Sequence, residues 1–213
     1  MISSRFCNLL QNKTYRTVKD FLCYIVLMES EKTKMQSFWE LVRFAAIALI
    51  IVIPIRLFIA EPFIVSGSSM VPTFGNGDYL IIDKISYILG DPKRDDVVVF
   101  RYPNDTTKFF IKRIMGLSNE TVDIEGSTVT ITNGTYKEGF KLDQPFVKNP
   151  ANNNTHLELK SDEYFVMGDN RSASSDSRYW GAVKKNLLVG RPFLRLWPIN
   201  NIDILPGNYK QVE

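Results

Sequence analysis

The sequence predicts a mainly β domain preceded by a single transmembrane helix. Three observations carry that expectation: one long apolar run near the N-terminus, a succession of short strand-like segments after it, and turn signals between those segments. With 213 residues, 45% hydrophobic and 12% aromatic, the chain can bury one sizeable core.

The apolar run is LVRFAAIALIIVIPIRLFIA, residues 41–60. About 20 residues cross a bilayer as a helix, and the run fits if Arg43 and Arg56 snorkel to the two interfaces. A buried helix of a soluble protein is the competing reading; the flanking charges and the density of β-branched residues weigh against it. Pro54 is tolerable in a membrane helix. Arg16, Lys19, Lys32, Lys34 and Arg43 gather on the N-terminal side, so the positive-inside rule keeps residues 1–40 in the cytoplasm and residues 61–213 outside it. Ile59-Ala60-Glu61-Pro62 is a poor cleavage exit, which favours an uncleaved anchor in the cell membrane over a removed leader. Phe21–Met28 is too short to span, and Met28 or Met35 competes with Met1 as the start.

Charge and cysteine usage narrow the function. Lys and Arg against Asp and Glu number 8 and 5 over residues 1–61, then 18 and 18 over residues 62–213. A neutral main domain without a basic stripe argues against nucleic acid as a partner. Cys7 and Cys23 both precede the apolar run, which excludes disulfide and thiolate chemistry from residues 62–213. His156 is the sole histidine, so a metal site is not expected.

After the anchor, strand-like segments fall at 79–83, 97–102, 108–115, 121–126, 127–134 and 163–169. Asn133-Gly134 has the composition of a two-residue hairpin turn, and Gly75-Asn76-Gly77-Asp78 that of another turn. The polar stretch 149–162 reads as an exposed loop.

The stretch SGSSMVPTF, Ser66 to Phe74, is either a plain turn or the seat of a nucleophile. A serine hydroxyl attacks only when a neighbour takes its proton. His156 is a poor candidate, lying in the asparagine-rich stretch with no ordering carboxylate in view. In FFIKRIM, strand alternation puts Phe110, Lys112 and Ile114 on one face and Phe109, Ile111, Arg113 and Met115 on the other. Lys112 is then the charged member of an apolar face, where burial lowers an amine's pKa toward the range of a usable base. The bland alternative is a lysine whose stem covers apolar surface while its head reaches water. A third stretch, MGDNRSASSDSRYWG from Met167 to Gly181, is an elaborate loop on its own evidence.

Together, SGSSMVPT after an anchor, DDVVVFRYP, FFIKRIMG and MGDNRSASSDSRYWG resemble the bacterial type I signal peptidases over about residues 38–198. The resemblance implies a signal-peptidase-like β-fold and a Ser-Lys endopeptidase that removes signal peptides from exported preproteins, with small residues before the cut and no cofactor. It makes Ser69 the nucleophile, Lys112 the general base and Ser174 the serine that orients the lysine. Asp176 and Arg178 would form a supporting ion pair, Gly168 would pack against the lysine, and Asp169 would join Arg113 in a charge network. Gly67 stands where Gram-negative members carry an oxyanion-hole serine, so the oxyanion would rest mainly on the Ser69 N–H. That glycine and a small insertion at about 118–160 look like the small Gram-positive form, and a monomer is expected. Substrate would bind extended along Phe63–Val65 and Phe109–Ile111, and nine residues from Ala60 to Ser69 would keep the site at the membrane surface. Two alternatives stay open: a self-cleaving repressor of the same core, and a non-catalytic membrane-anchored binding module on this fold.

Overall fold

The computed structural model describes residues 34–209. The candidate starts Met1 and Met28, the cysteines, the Phe21–Met28 run and the basic residues Arg16, Lys19 and Lys32 lie outside the described residues. The chain divides into two compact units, Met1–Ile53 and Pro54–Glu213.

The first unit contributes nearly all of one α-helix, Lys34–Pro54. Its Met35–Pro54 stretch is long and apolar enough to cross a membrane, and none of it is buried, unlike the core helix of a soluble protein. The helix starts and ends earlier than the expected 41–60. Pro54 closes it because proline lacks the N–H for the next helical bond and its ring crowds the preceding turn. A five-residue π turn follows, Ile55–Ile59, and the backbone is extended at Ala60. Arg43 therefore sits within the first half of the helix rather than at its mouth.

The second unit is built mostly of antiparallel strands in two sheets. In chain order they are β1 (Ala60–Ile64), β2 (Tyr79–Asp83), β3 (Val97–Tyr102), β4 (Asp105–Gly116), β5 (Thr121–Gly126), β6 (Thr128–Thr132), β7 (Phe140–Lys141), β8 (Asn153–Glu158), β9 (Glu163–Met167), β10 (Val183–Lys184), β11 (Leu188–Trp197) and β12 (Asp203–Ile204). The larger sheet has the order β1-β2-β11-β3-β4-β9-β10, with β12 also on β11. The smaller has the order β7-β6-β5-β8 and takes up residues 121–158.

β3 is central and buried on both faces, which is why its sequence is a continuous apolar run rather than an alternation. Val97 and Val99 join Met70, Phe74, Leu80 and Ile82 in one cluster, while Val98 and Phe100 join Ile114, Val166 and Val183 in another. A third cluster lies against the small sheet, where Val122, Ile124, Val129 and Ile131 meet Met115, Phe165 and Met167.

Two local expectations fail for identifiable reasons. Residues 149–162 do not form a free loop: β8 runs through them and pairs with β5 in register from Thr121↔Glu158 to Gly126↔Asn153. Its side chains are nearly all polar, so apolar periodicity could not reveal it. Asn133-Gly134 does not close a two-residue hairpin either. The Asn133 side chain instead accepts the N–H groups of Thr135 and Tyr136, an Asx-type turn that lengthens the connection to β7.

Candidate active site

The Ser66–Phe74 stretch is a turn pinned at both ends. The Val65 N–H donates to Asp78 C=O and the Gly77 N–H to Val65 C=O, both within 2.9 Å, so the stretch leaves the end of β1 and returns to the start of β2. Met70 and Phe74 are buried and anchor the far side. Gly67 has φ of +100°, a conformation that favours glycine, and its N–H donates to Asn76 Oδ1 at 2.9 Å. That N–H is thus already engaged, and Gly67 shapes the turn rather than offering a free oxyanion donor.

Ser69 projects from this turn toward β4. Lys112 Nζ lies 2.7 Å from Ser69 Oγ and donates to the Ile111 C=O at 3.0 Å. Phe110 and Ile114, on the same face as Lys112, pack in the cluster that holds Val98, its cross-strand partner. Lys112 is only 4% exposed. Burial pulls its pKa down to about 8, against the opposing pull of the Asp176 and Asp169 carboxylates. The solvent-seeking alternative for this lysine does not hold.

The Gly168–Arg178 loop backs this pair. Gly168 N–H donates to Asp176 Oδ2 at 3.0 Å, and a Cβ built on Gly168 would stand 2.3 Å from Ser174 Oγ and 2.4 Å from the Ser69 carbonyl oxygen. Only a residue without a side chain lets the loop approach Ser69 so closely. Gly168→Ala is therefore expected to displace the Ser69 turn and cut kcat by about a hundredfold, the scale of an ångström of misplacement. A kinetic assay that returned wild-type kcat for this variant would contradict the tight contact.

Arg178 Nε lies 2.7 Å from Asp176 Oδ1, both side chains almost fully buried. Arg113 and Asp169 form a second buried pair at 2.7 Å, bidentate through Nε and Nη2. Thr73 Oγ1 donates to Asp169 Oδ2 at 2.5 Å, which ties the Ser69 turn to that pair. Ser174 departs from expectation. It is buried beside Gly168, but its hydroxyl has no hydrogen-bond partner among the described residues, and the Lys112 amine bonds Ser69 and Ile111 instead.

Two residues that motif reading passed over complete the support. Asn170 donates from its N–H to Ser69 C=O and from Nδ2 to Ser68 C=O, each at 3.0 Å. Arg171 Nε donates to Gly168 C=O at 3.0 Å. Both lie inside the GDNR segment, so their neighbourhood was visible in the sequence and their contacts were not. His156 is framed after all, on β8 with Nδ1 2.5 Å from Asp123 Oδ1, but it is 64% exposed and Ser69 Oγ is held by Lys112. Among the described residues no cluster of His, Cys, Asp and Glu could hold a metal ion.

Ser69 and Lys112 open on a cavity of about 650 Å³ lined by Phe63, Ile64, Val65, Val99 and Phe109 among others. β1 pairs on one side only, with β2, and β4 meets β9 only from Arg113 onward. Two strand edges therefore line the cavity without strand partners among the described residues.

The family described as "Signal peptidase, peptidase S26" matches residues 38–197. Among curated relatives, the chain is 39% identical over 191 residues to "Probable signal peptidase I-2" of Synechocystis sp., covering 84% of each protein. It is 34% identical to "Signal peptidase I" of Leptolyngbya laminosa, over 80% of this chain and 86% of the relative. It is 31% identical to "Signal peptidase I P" of Bacillus subtilis subsp. natto, over 83% of this chain and 98% of the relative. A mostly β unit after one apolar helix, with this extent of matching sequence, leaves one assignment: the chain belongs to the signal peptidase family, peptidase S26.

Proposed function

We propose that the chain is a membrane-anchored serine endopeptidase that removes N-terminal signal peptides from exported preproteins by a Ser69-Lys112 dyad. The observation that carries this reading is the buried Lys112 amine 2.7 Å from Ser69 Oγ. At a pKa of about 8, roughly a tenth of the amine is free at pH 7 and can accept the hydroxyl proton.

In the first step Ser69 Oγ bonds to the scissile carbonyl carbon while Lys112 takes its proton. The carbonyl electrons move onto oxygen, where the Ser69 N–H is the expected donor. As the C–N bond breaks, the Lys112 ammonium gives its proton to the departing amine, leaving the signal peptide esterified to Ser69. The free amine then deprotonates a water that attacks the ester, and the returned proton restores the Ser69 hydroxyl. The buried Asp176–Arg178 and Arg113–Asp169 pairs hold the loop and strand in register, and Gly168 allows the close approach.

An extended substrate segment would add to the unpartnered edges of Phe63–Val65 and Phe109–Ile111 by backbone pairing. The apolar part of the lining, Phe63, Val65 and Val99 among it, would accept the small side chains before the cut. Helix Lys34–Pro54 serves as the anchor, with the basic N-terminal side in the cytoplasm and the peptidase unit outside. Full-length protein in detergent should cleave a secreted precursor at its signal-peptide junction, and Ser69→Ala should remain folded without cleaving. Cleavage at the same site by purified Ser69→Ala would overturn the reading.

A further inference from the structure

The loop from Gly168 to Arg178 has a second side. Away from Ser69 it walls a separate cavity of about 210 Å³, whose polar lining is Arg171, Arg178, Gln144, Ser127 and Asn153. No aspartate or glutamate is among its described lining residues.

The two guanidinium groups there differ. Arg178 is matched, with Nε and Nη2 on the Asp176 carboxylate and Nη1 on Asn153 Oδ1 at 2.6 Å. Arg171 is not. It is 4% exposed, its Nε donates to Gly168 C=O, and its Nη2 has the Met115 sulfur at 3.8 Å. Among the described residues no carboxylate reaches it at ion-pairing distance, and both nearby carboxylates already have arginine partners, Asp169 with Arg113 and Asp176 with Arg178. Neither Asp169 nor Asp176 is thus left for Arg171 alone. Burial pulls the Arg171 pKa down to about 10, helped by the Arg178 and Arg113 charges and opposed by the Asp169 and Asp176 carboxylates, which are near but already paired.

An unmatched buried cation is costly, and the planar guanidinium fork fits two oxygens of one anion. Gln144 lies in the same wall with a buried side-chain oxygen that no donor among the described residues reaches, and a half-turn of its amide presents an NH₂ there instead. We propose that this cavity binds a small oxyanion, a carboxylate or a phosphate, on the outer edge of the Arg171 guanidinium. Its occupant would stiffen the catalytic loop from behind, because Arg171 holds the Gly168 carbonyl and Gly168 abuts Ser69.

The test reads unfolding, so it stands apart from whether the chain cleaves preproteins. The full chain in detergent is melted at increasing potassium phosphate, potassium acetate or potassium chloride, with ionic strength held constant by a bulky sulfonate salt. Phosphate or acetate should raise Tm in a saturable way and chloride should not, since a ligand bound only to the folded state shifts Tm with its concentration. Arg171→Met should lose the rise. Ala151→Phe, which fills the cavity and keeps Arg171, should lose it as well and covers the case in which Arg171→Met does not fold. No saturable rise, an equal rise with chloride, or a rise that persists in Ala151→Phe would overturn the site.

Discussion

Lys112→Met is expected to abolish cleavage and at the same time to raise thermal stability at neutral pH. Loss of a general base costs about 10²–10⁴ in rate, and in the proposed mechanism the same amine is also the acid for the leaving group, so the upper end is expected. The stability gain follows from the depressed pKa. Below pH 8 Lys112 is charged in both the folded and unfolded chain, and keeping that charge buried costs about 3 kcal/mol. Methionine fills a similar volume without the charge. It forfeits the bonds to Ser69 and Ile111, about 1 kcal/mol each, leaving a net gain near 1 kcal/mol, or about 2–4 °C in Tm. The penalty shrinks as pH rises from about 8 toward 10.5, so the advantage of the variant should fade over the same range. Melting curves at several pH values check this; a variant less stable than wild type at pH 7 would mean that the lysine is not held against desolvation.

Asp169→Asn is expected to have the largest effect on folding. Asp169 is fully buried and Arg113 is 1% exposed, so the substitution leaves the guanidinium without a counter-charge in a dry site. Breaking such a pair costs about 3–5 kcal/mol, which lowers Tm by roughly 10 °C in a unit of this size. Cleavage should fall as well, because Thr73 hangs the Ser69 turn on the same carboxylate. In a double-mutant cycle, Arg113→Met with Asp169→Leu should cost clearly less than the sum of the single changes. Additive losses would mean that the two side chains do not act as a pair.

What the sequence made legible follows from the range of the forces involved. β2 and β3 are read to the residue because YLIID and VVVFRY carry strong local patterns. β11 is invisible by the same method, since Gly190 and Pro192 punctuate it like a loop. Gly190 is there because β2 comes so close that a Cβ would stand 2.2 Å from the Asp83 carbonyl oxygen, and Pro192 falls at a register shift. Alternation put Lys112 on an apolar face, but its pairing with Ser69 was implied only by the family resemblance, because no local pattern joins positions 69 and 112. Ser174 illustrates a further limit: motif order brought it to the site but could not say where its hydroxyl points. The Asn170 bonds to Ser68 and Ser69 join segments about 100 positions apart, a contact that no local pattern encodes.

His156 makes the decisive experiment sharper than a single profile. Its hydrogen bond to Asp123 raises its pKa, so a rising limb in the wild type alone would not separate a histidine base from the Lys112 base. The measurement is therefore kcat/KM for preprotein cleavage from pH 5 to 9 in the wild type and in His156→Gln. Both proteins should show the same rising limb with a midpoint near pH 8, tenfold per pH unit below it, as the Lys112 amine loses its proton. A limb that collapses or shifts in His156→Gln would contradict Lys112 as the base that activates Ser69.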